Sequence, residues 1–426
     1  MRSAPDGGAV RKGADHVTKR GLGLIGSAFM TLSLFGCTAD SGSATPPGSG
    51  GSSATGSGGS SATGSGGSSA TGSGGSGLGG SDASGGVSGS GGAPATGGSG
   101  GSPADGGPGG SDGGPTVDPN GDTPPSRPLN VTAAKMRLSH TFRASAADPA
   151  VSFNDNNEVS AVDPRSPKMV GKLVLPLGGL GSTAGTLGNE GPFVLPRGYH
   201  VLGIAVWENY NILRCDAGFF GDARRQVFDG VQHTTKYDFA GIKMGVSDGL
   251  AKRTEMALKY LDKMYPTEDW GYFLNKDGTV RWSDVIFTGI SHGASNAPRF
   301  AMLVRAWRSV AFAGPRDNSS GSGPGTDAYC PNLVSATWFT EKPATPIDRF
   351  YTLTGAADAQ HPQHLFAMDK LGYVGQPVNM SVGPPYNNSH RITGPGGHES
   401  PCNETNYKAL CNYLFGVDPM NANGIQ

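Results

Sequence analysis

Residues 284–304 read DVIFTGISHGASNAPRFAMLV, and this stretch limits what the chain can fold into more than any other. Val285 to Thr288 are apolar or β-branched without interruption, as in a strand buried on both faces. Ala294 to Trp307 has apolar residues at helical spacing. Between them stands Gly289-Ile290-Ser291-His292-Gly293, the pattern G-x-S-x-G. In a chain with 71 glycines the bare pattern means little. Its place between a strand and a helix gives it meaning. The turn has to be sharp, and glycines two before and two after the serine let strand and helix approach closely. Ser291 would stand at a helix N-terminus, where backbone N–H groups favour a developing anion. Ser291 is therefore the candidate nucleophile.

The surrounding sequence supports one large domain over residues 129–426. VTAAKMRLSHTF and NEVSAVD follow each other as strands, and MVGKLVLPLGG is an apolar run stopped by glycines at Gly179. HVLGIAVWEN, His200 to Asn209, is another buried strand. SDGLAKRTEMALKYLDKMY places Leu250, Met256, Leu258, Leu261 and Met264 among charges, an amphipathic helix capped by Ser247 or Asp248. After the serine turn come the strand SVAFAG, a long loop, the strand RFYTLTG, the helix PQHLFAMDKLG, PVNMSVG and a last helix NYKALCNYLFG. Apolar strands alternating with helices predict an α/β fold, a mostly parallel sheet with helices on both faces. The opening strands have no helix between them, so the N-terminal edge is expected to be antiparallel.

A serine hydroxyl needs a base to take its proton. His398, in the loop Gly394-Pro395-Gly396-Gly397-His398-Glu399 before the last helix, is the candidate. His390 is second, beside the end of the preceding strand. Asp358, just beyond the strand RFYTLTG, is the candidate acid that orients the imidazole and stabilises the imidazolium. Asp317, after SVAFAG, is its rival. Asp358, His361 and His364 also have a spacing that would allow a metal, but Pro362 opens a helix and both histidines fall in its first turn, the simpler reading. An oxyanion hole needs two backbone N–H donors, assigned to His292, next after the nucleophile, and Gly179, after the third strand. No cofactor or metal is called for. Trp207, Tyr210, Tyr329 and Trp338, with the loop 315–332, are candidates for a pocket lining, or for packing.

This constellation, with its order Ser291, Asp358, His398, resembles the α/β-hydrolase superfamily from about Leu129 to Gln426. WGYFLNKDGTVRWSDVIFTGISHGA, with Asp222-Ala223-Arg224-Arg225-Gln226-Val227-Phe228 ahead of it, is similar to bacterial secreted hydrolases of the BPSS1187-like group. The resemblance implies the α/β-hydrolase fold and a serine esterase or related acyl hydrolase working through an acyl-enzyme. A depolymerase of a polyester or esterified polysaccharide, and a non-catalytic surface binding or adhesion protein on the same fold, are the alternatives.

The first third of the chain is of another kind. Arg2, Arg11, Lys12, Lys19 and Arg20 precede an apolar run from Gly21 to Gly36, shorter than the ~20 residues of a membrane span and suited to a signal peptide. It ends Leu34-Phe35-Gly36-Cys37, which resembles a bacterial lipobox, so residues 1–37 are expected to export the chain and leave Cys37 lipidated in the cell envelope. Residues 38–128 contain the unit GSGGSSAT beginning at Gly48, Gly56 and Gly64. Such a tract buries almost no apolar area and reads as a disordered tether with a reach of roughly 50 Å. The remaining cysteines, Cys215, Cys330, Cys402 and Cys411, are expected to form disulfides in an exported chain, Cys402 with Cys411 and Cys215 with Cys330. With 33 Lys+Arg against 34 Asp+Glu, the chain lacks the basic excess of a nucleic-acid binder. Its expected partners are an ester substrate and, through the lipid, a membrane.

Overall fold

Strands β1 (Leu138–Arg143), β2 (Asn157–Val162), β3 (Leu173–Leu177), β4 (His200–Gly203), β5 (Val285–Ile290) and β6 (Arg308–Phe312) build the first part of a sheet. A separate antiparallel pair, β7 (Asn318–Ser319) and β8 (Val334–Ser335), follows; β9 (Phe350–Gly355), β10 (Val378–Asn379) and β11 (Arg391–Gly394) complete the sheet. The coordinates are a computed structural model that describes residues 120–125, 127–207, 217–234, 244–319, 334–399, 401–418 and 421–424. The export segment with Cys37, the linker up to residue 119, Cys215, Cys330, Tyr210 and Tyr329 lie outside the described residues.

Among the described residues the order across the main sheet is β1-β2-β4-β3-β5-β6-β9-β11-β10. Only β1 with β2 and β2 with β4 are antiparallel. The other neighbours are parallel. This is the α/β-hydrolase arrangement, with its antiparallel N-terminal edge. The chain goes from β3 to β4 on one side and returns to β5 on the other, so the strand order reverses at β3/β5. Ligand sites of open α/β sheets collect at the carboxyl end of such a switch.

The helices are α1 (Ala144–Ala147), α2 (Gly191–Val194), α3 (Phe219–Asp229), α4 (Leu250–Met264), α5 (His292–Leu303), α6 (His361–Leu371) and α7 (Lys408–Phe415). Alternation along the strands divides the apolar residues between two cores. Leu173, Leu175, Val285 and Phe287 meet α3, α4, α5 and α6 through Phe228, Leu258, Phe300 and Met368. Val174, Val201, Ile286 and Phe312 meet α2 and α7 through Phe193, Leu414 and Phe415.

Several boundaries differ from the sequence expectation. Helix α4 is capped by Gly249, not Ser247 or Asp248. The Asp248 carboxylate accepts from Ser152 N, Phe153 N and Arg253, tying α4 to the loop before β2. Helix α5 stops at Leu303, because Trp307 N already donates to Val285 O at the foot of β5. Strand β4 is four residues long. PVNMSVG supplies only the two residues of β10, and the strand leading to the His398 loop is β11 instead. Residues on the linker side of the expected boundary are held to the domain. Asn120 bonds to the backbone of Arg305 at both ends of its amide, Asp122 accepts from Ser283 N, and Arg127 pairs with Asp269.

Candidate active site

Ser291 sits on the turn from β5 into α5 with φ 57° and ψ −114°, a backbone conformation costly for a residue with a side chain. The turn is held by its neighbours. Ser291 N donates to Phe312 O at 3.0 Å, and Ala294 N donates to Ser291 O at 3.0 Å. The glycines are needed for contact. A Cβ on Gly293 would stand 2.3 Å from Leu177 O, and one on Gly289 would stand 2.6 Å from the Gly293 carbonyl. His292 begins α5, and its carbonyl accepts from Arg224 Nη1 at 3.3 Å. Because Leu177 and Gly289 are register partners, the loop after β3 arrives beside the elbow. A Cβ on Gly179 would lie 3.7 Å from Ser291 Cβ, so the two expected oxyanion donors flank the serine. Leu180, next to Gly179, is half exposed.

Asp358 and His398 meet across two loops. His398 Nδ1 lies 2.7 Å from Asp358 Oδ2, while Asp358 Oδ1 accepts from Gln360 N at 2.8 Å. Burial pushes the Asp358 carboxyl up, but the Gln360 N–H and the two imidazoles facing it outweigh this and hold it below the ordinary carboxylate range. The base loop is folded back over the end of β9. Ala356 N donates to Gly394 O at 2.8 Å and Ala357 N to Gly396 O at 3.0 Å. Gly355 permits this, since a Cβ there would meet Gly396 O at 2.1 Å. Ser291, Asp358 and His398 thus follow the carboxyl ends of β5, β9 and β11 at one sheet edge. The structure brings the expected acid and base together, and the expected nucleophile beside the Gly179 loop. Among the described residues no hydrogen bond links Ser291 to His398, a contact that often tightens only with substrate bound.

The rival candidates are placed otherwise. Asp317 is buried and taken up by Arg224, whose Nε and Nη2 each approach a carboxylate oxygen at 2.6 Å, and by Trp338 Nε1 at 2.9 Å. His390 precedes β11 rather than following a strand end, about 13 Å of strand away from the carboxyl edge. It is stacked on Tyr351 at 3.8 Å and pulled down to about 4 by burial. His361 and His364 turn their Nδ1 atoms to Thr354 Oγ1, at 3.2 and 2.8 Å. Trp338 is wholly buried and Trp207 packs edge-on against Phe153. Cys402 and Cys411 are bonded, as their spacing suggests.

Arg224 and Thr354 are participants that the sequence reading did not identify. Arg224 lies 93 residues before Asp317, and no local spacing couples them. Besides Asp317, it holds Asn296 Oδ1 at 2.6 Å, so one guanidinium fastens α3 to α5 and to the loop after β6 beneath the elbow.

No family model matches the sequence, and no curated protein matches it. Solved structures do. The fluorophosphonate-binding serine hydrolase F of Staphylococcus aureus, with substrate bound, is 14% identical over 62% of this chain and 91% of its own, with a TM-score of 0.32. An S-formylglutathione hydrolase from Agrobacterium tumefaciens is 12% identical over 69% and 98%, with a TM-score of 0.37. An acetyl xylan esterase from Aspergillus awamori is 11% identical over 66% and 100%, with a TM-score of 0.31. At these identities and scores the likenesses carry no argument, and the functional reading rests on the geometry above.

Proposed function

We propose that the protein is a serine hydrolase of carboxylic esters, with Ser291 as nucleophile, His398 as base and Asp358 as the orienting acid. The observation that carries the reading is the convergence of a strained serine elbow and an Asp358–His398 pair on the same carboxyl edge of the sheet. In the reaction His398 takes the Ser291 proton as Oγ attacks the ester carbonyl. The backbone N–H groups of His292 and Gly179 receive the oxyanion. The alkoxide leaves with the proton from His398, and water then releases the acyl group by the same steps reversed. Asp358, already ionised, stabilises the imidazolium each time.

A fluorophosphonate probe tests this directly. The parent domain should label, and Ser291→Ala should abolish labelling while leaving the melting temperature near the parent's. His398→Ala should slow ester turnover by several orders of magnitude, because nucleophile and base act as one unit. A folded parent that neither labels nor turns over any ester would favour a binding protein on a hydrolase fold.

The same reading covers the first third of the chain. The positive n-region, the apolar run and the lipobox-like end at Cys37 support export and lipid anchoring in a bacterial envelope, with the Gly/Ser tract as tether. Growth with a clickable fatty acid should mark the full chain and leave Cys37→Ser unmarked. An unmarked parent would rule out the anchor.

A further inference from the structure

Two imidazoles face one carboxylate oxygen. Asp358 Oδ2 has His398 Nδ1 at 2.7 Å and His364 Nδ1 at 3.9 Å, and the two rings lie 6.3 Å apart. We propose that His364 is a positioning residue for the Asp358–His398 pair: a fully buried imidazole, locked in one tautomer by Thr354, that fixes the acid's carboxylate toward the base. The proposal rests on the reading of Asp358 and His398 as acid and base.

Burial keeps charge off His364. The His364 side chain is 0% exposed and that of His398 is 36% exposed. The charged or titratable groups facing His364 are Asp358 after β9, His398 after β11, Arg316 after β6 and His361 on its own helix. Loss of water disfavours the imidazolium most, and of these neighbours only Asp358 favours it, so His364 is pulled down to about 3. A charged His364 would compete with His398 for the same oxygen. A neutral one leaves Asp358 to the imidazolium that forms in the reaction.

The tautomer follows from the hydrogen bonds. His364 Nε2 is buried and has no partner among the described residues. Its Nδ1 lies 2.8 Å from Thr354 Oγ1, which in turn lies 3.2 Å from His361 Nδ1. One hydroxyl has one proton to give. A proton on Nε2 would be a buried donor without an acceptor, which is costly. The arrangement that avoids it has His364 Nδ1–H donating to Thr354 Oγ1 and the hydroxyl donating to His361 Nδ1. The Nδ1–H edge of the His364 ring then lies 3.9 Å from Oδ2, while Gln360 N–H holds Oδ1. The carboxylate keeps one favourable orientation, toward His398.

The test separates positioning from packing. His364→Phe keeps the ring volume without Nδ1, and His364→Asn returns an N–H near the Nδ1 position. His364→Phe should lower kcat about 100-fold, the scale of loss from a misplaced catalytic group, with KM moved by no more than about twofold, since substrate binding is not what is lost. His364→Asn should recover most of that loss. Thr354→Val, which removes the lock, should lower kcat with KM unmoved, and Thr354→Ser should lose much less. A folded His364→Phe with parental kcat, or a folded His364→Asn as slow as a folded His364→Phe, overturns the proposal. If His364→Phe fails to fold, the Thr354 pair decides, and equal kcat in Val and Ser overturns it. Labelling that survives Ser291→Ala would instead sink the triad reading itself.

Discussion

Asp358 and Asp317 both follow a parallel strand at the same sheet edge, and their partners give them opposite uses. Asp358 spends one oxygen on a backbone N–H and offers the other to an exposed imidazole. Asp317 spends both on the buried guanidinium of Arg224. Position after a strand was legible in the sequence for each, which is why both were candidates. The partner was not, because Arg224 is remote in sequence and brought there by α3. Asp358→Asn should lower kcat by about 10⁴-fold with little change in stability, because an amide favours the wrong imidazole tautomer. Asp317→Asn leaves a buried guanidinium without its anion, a loss of about 3–5 kcal/mol. It should appear as a depressed melting temperature, with kcat per folded molecule far nearer the parent. Ester turnover and thermal melts on the two variants check this, and the reverse pattern would make Asp317 the acid.

At the scale of elements, legibility follows how a segment is buried. Strands β5 and β9 are covered on both faces and read as nearly continuous apolar or β-branched runs, and β6 shows the same over Val310-Ala311-Phe312. Strand β11 is only Arg391-Ile392-Thr393-Gly394, with one residue in the apolar core. It is a strand because β9 and β10 pair with it on either side, and such pairing leaves no local trace. His390, the second candidate base, therefore precedes a strand that the sequence does not display, and stands at its amino end. The cap of α4 is a similar case. Ser247 and Asp248 are good cap residues, yet Asp248 serves a loop some 96 positions earlier, and tertiary bonding overrides local preference. The Cys402–Cys411 bridge was within reach because its two ends are local, nine residues apart. Chain entropy gives such a short closure about 2–3 kcal/mol. Its place matters as much as its size, since it fastens the segment after His398 to the buried face of α7.

At the scale of the whole molecule, buried ionisable groups set the pH range in which the fold is stable. His200, His364 and His390 are pulled by burial to about 4, 3 and 4, below the ordinary 6.5. The unfolded chain binds protons on them below pH 6.5 while the folded chain does not. Their contribution is full above that point and is lost as the pH falls toward 4 and then 3. Glu158 and Glu190 behave in the opposite sense. Burial raises them to about 8 and about 7 from 4.5, with Arg253 only partly opposing the shift at Glu158. Their contribution is full below pH 4.5 and is lost as the pH rises toward 7 and 8. Between 4.5 and 6.5 three histidines act against two carboxyls, and above 6.5 only the carboxyls act. Below 4.5 the histidines are joined by carboxylates held below their ordinary range, Asp248 and Glu255 among them, whose own protonation removes stability. The melting temperature should therefore peak between about pH 6 and 7 and fall on both sides, with the acid limb steepening below about pH 4.5. Glu158→Gln removes the group that titrates last, at about 8 against about 7 for Glu190, so it should remove most of the fall above pH 7. Scanning calorimetry of the parent and this variant from pH 4 to 9 makes the comparison. A melting temperature that climbs steadily to pH 9 would mean that Glu158 and Glu190 are ionised in the folded domain, against the direction in which burial moves them.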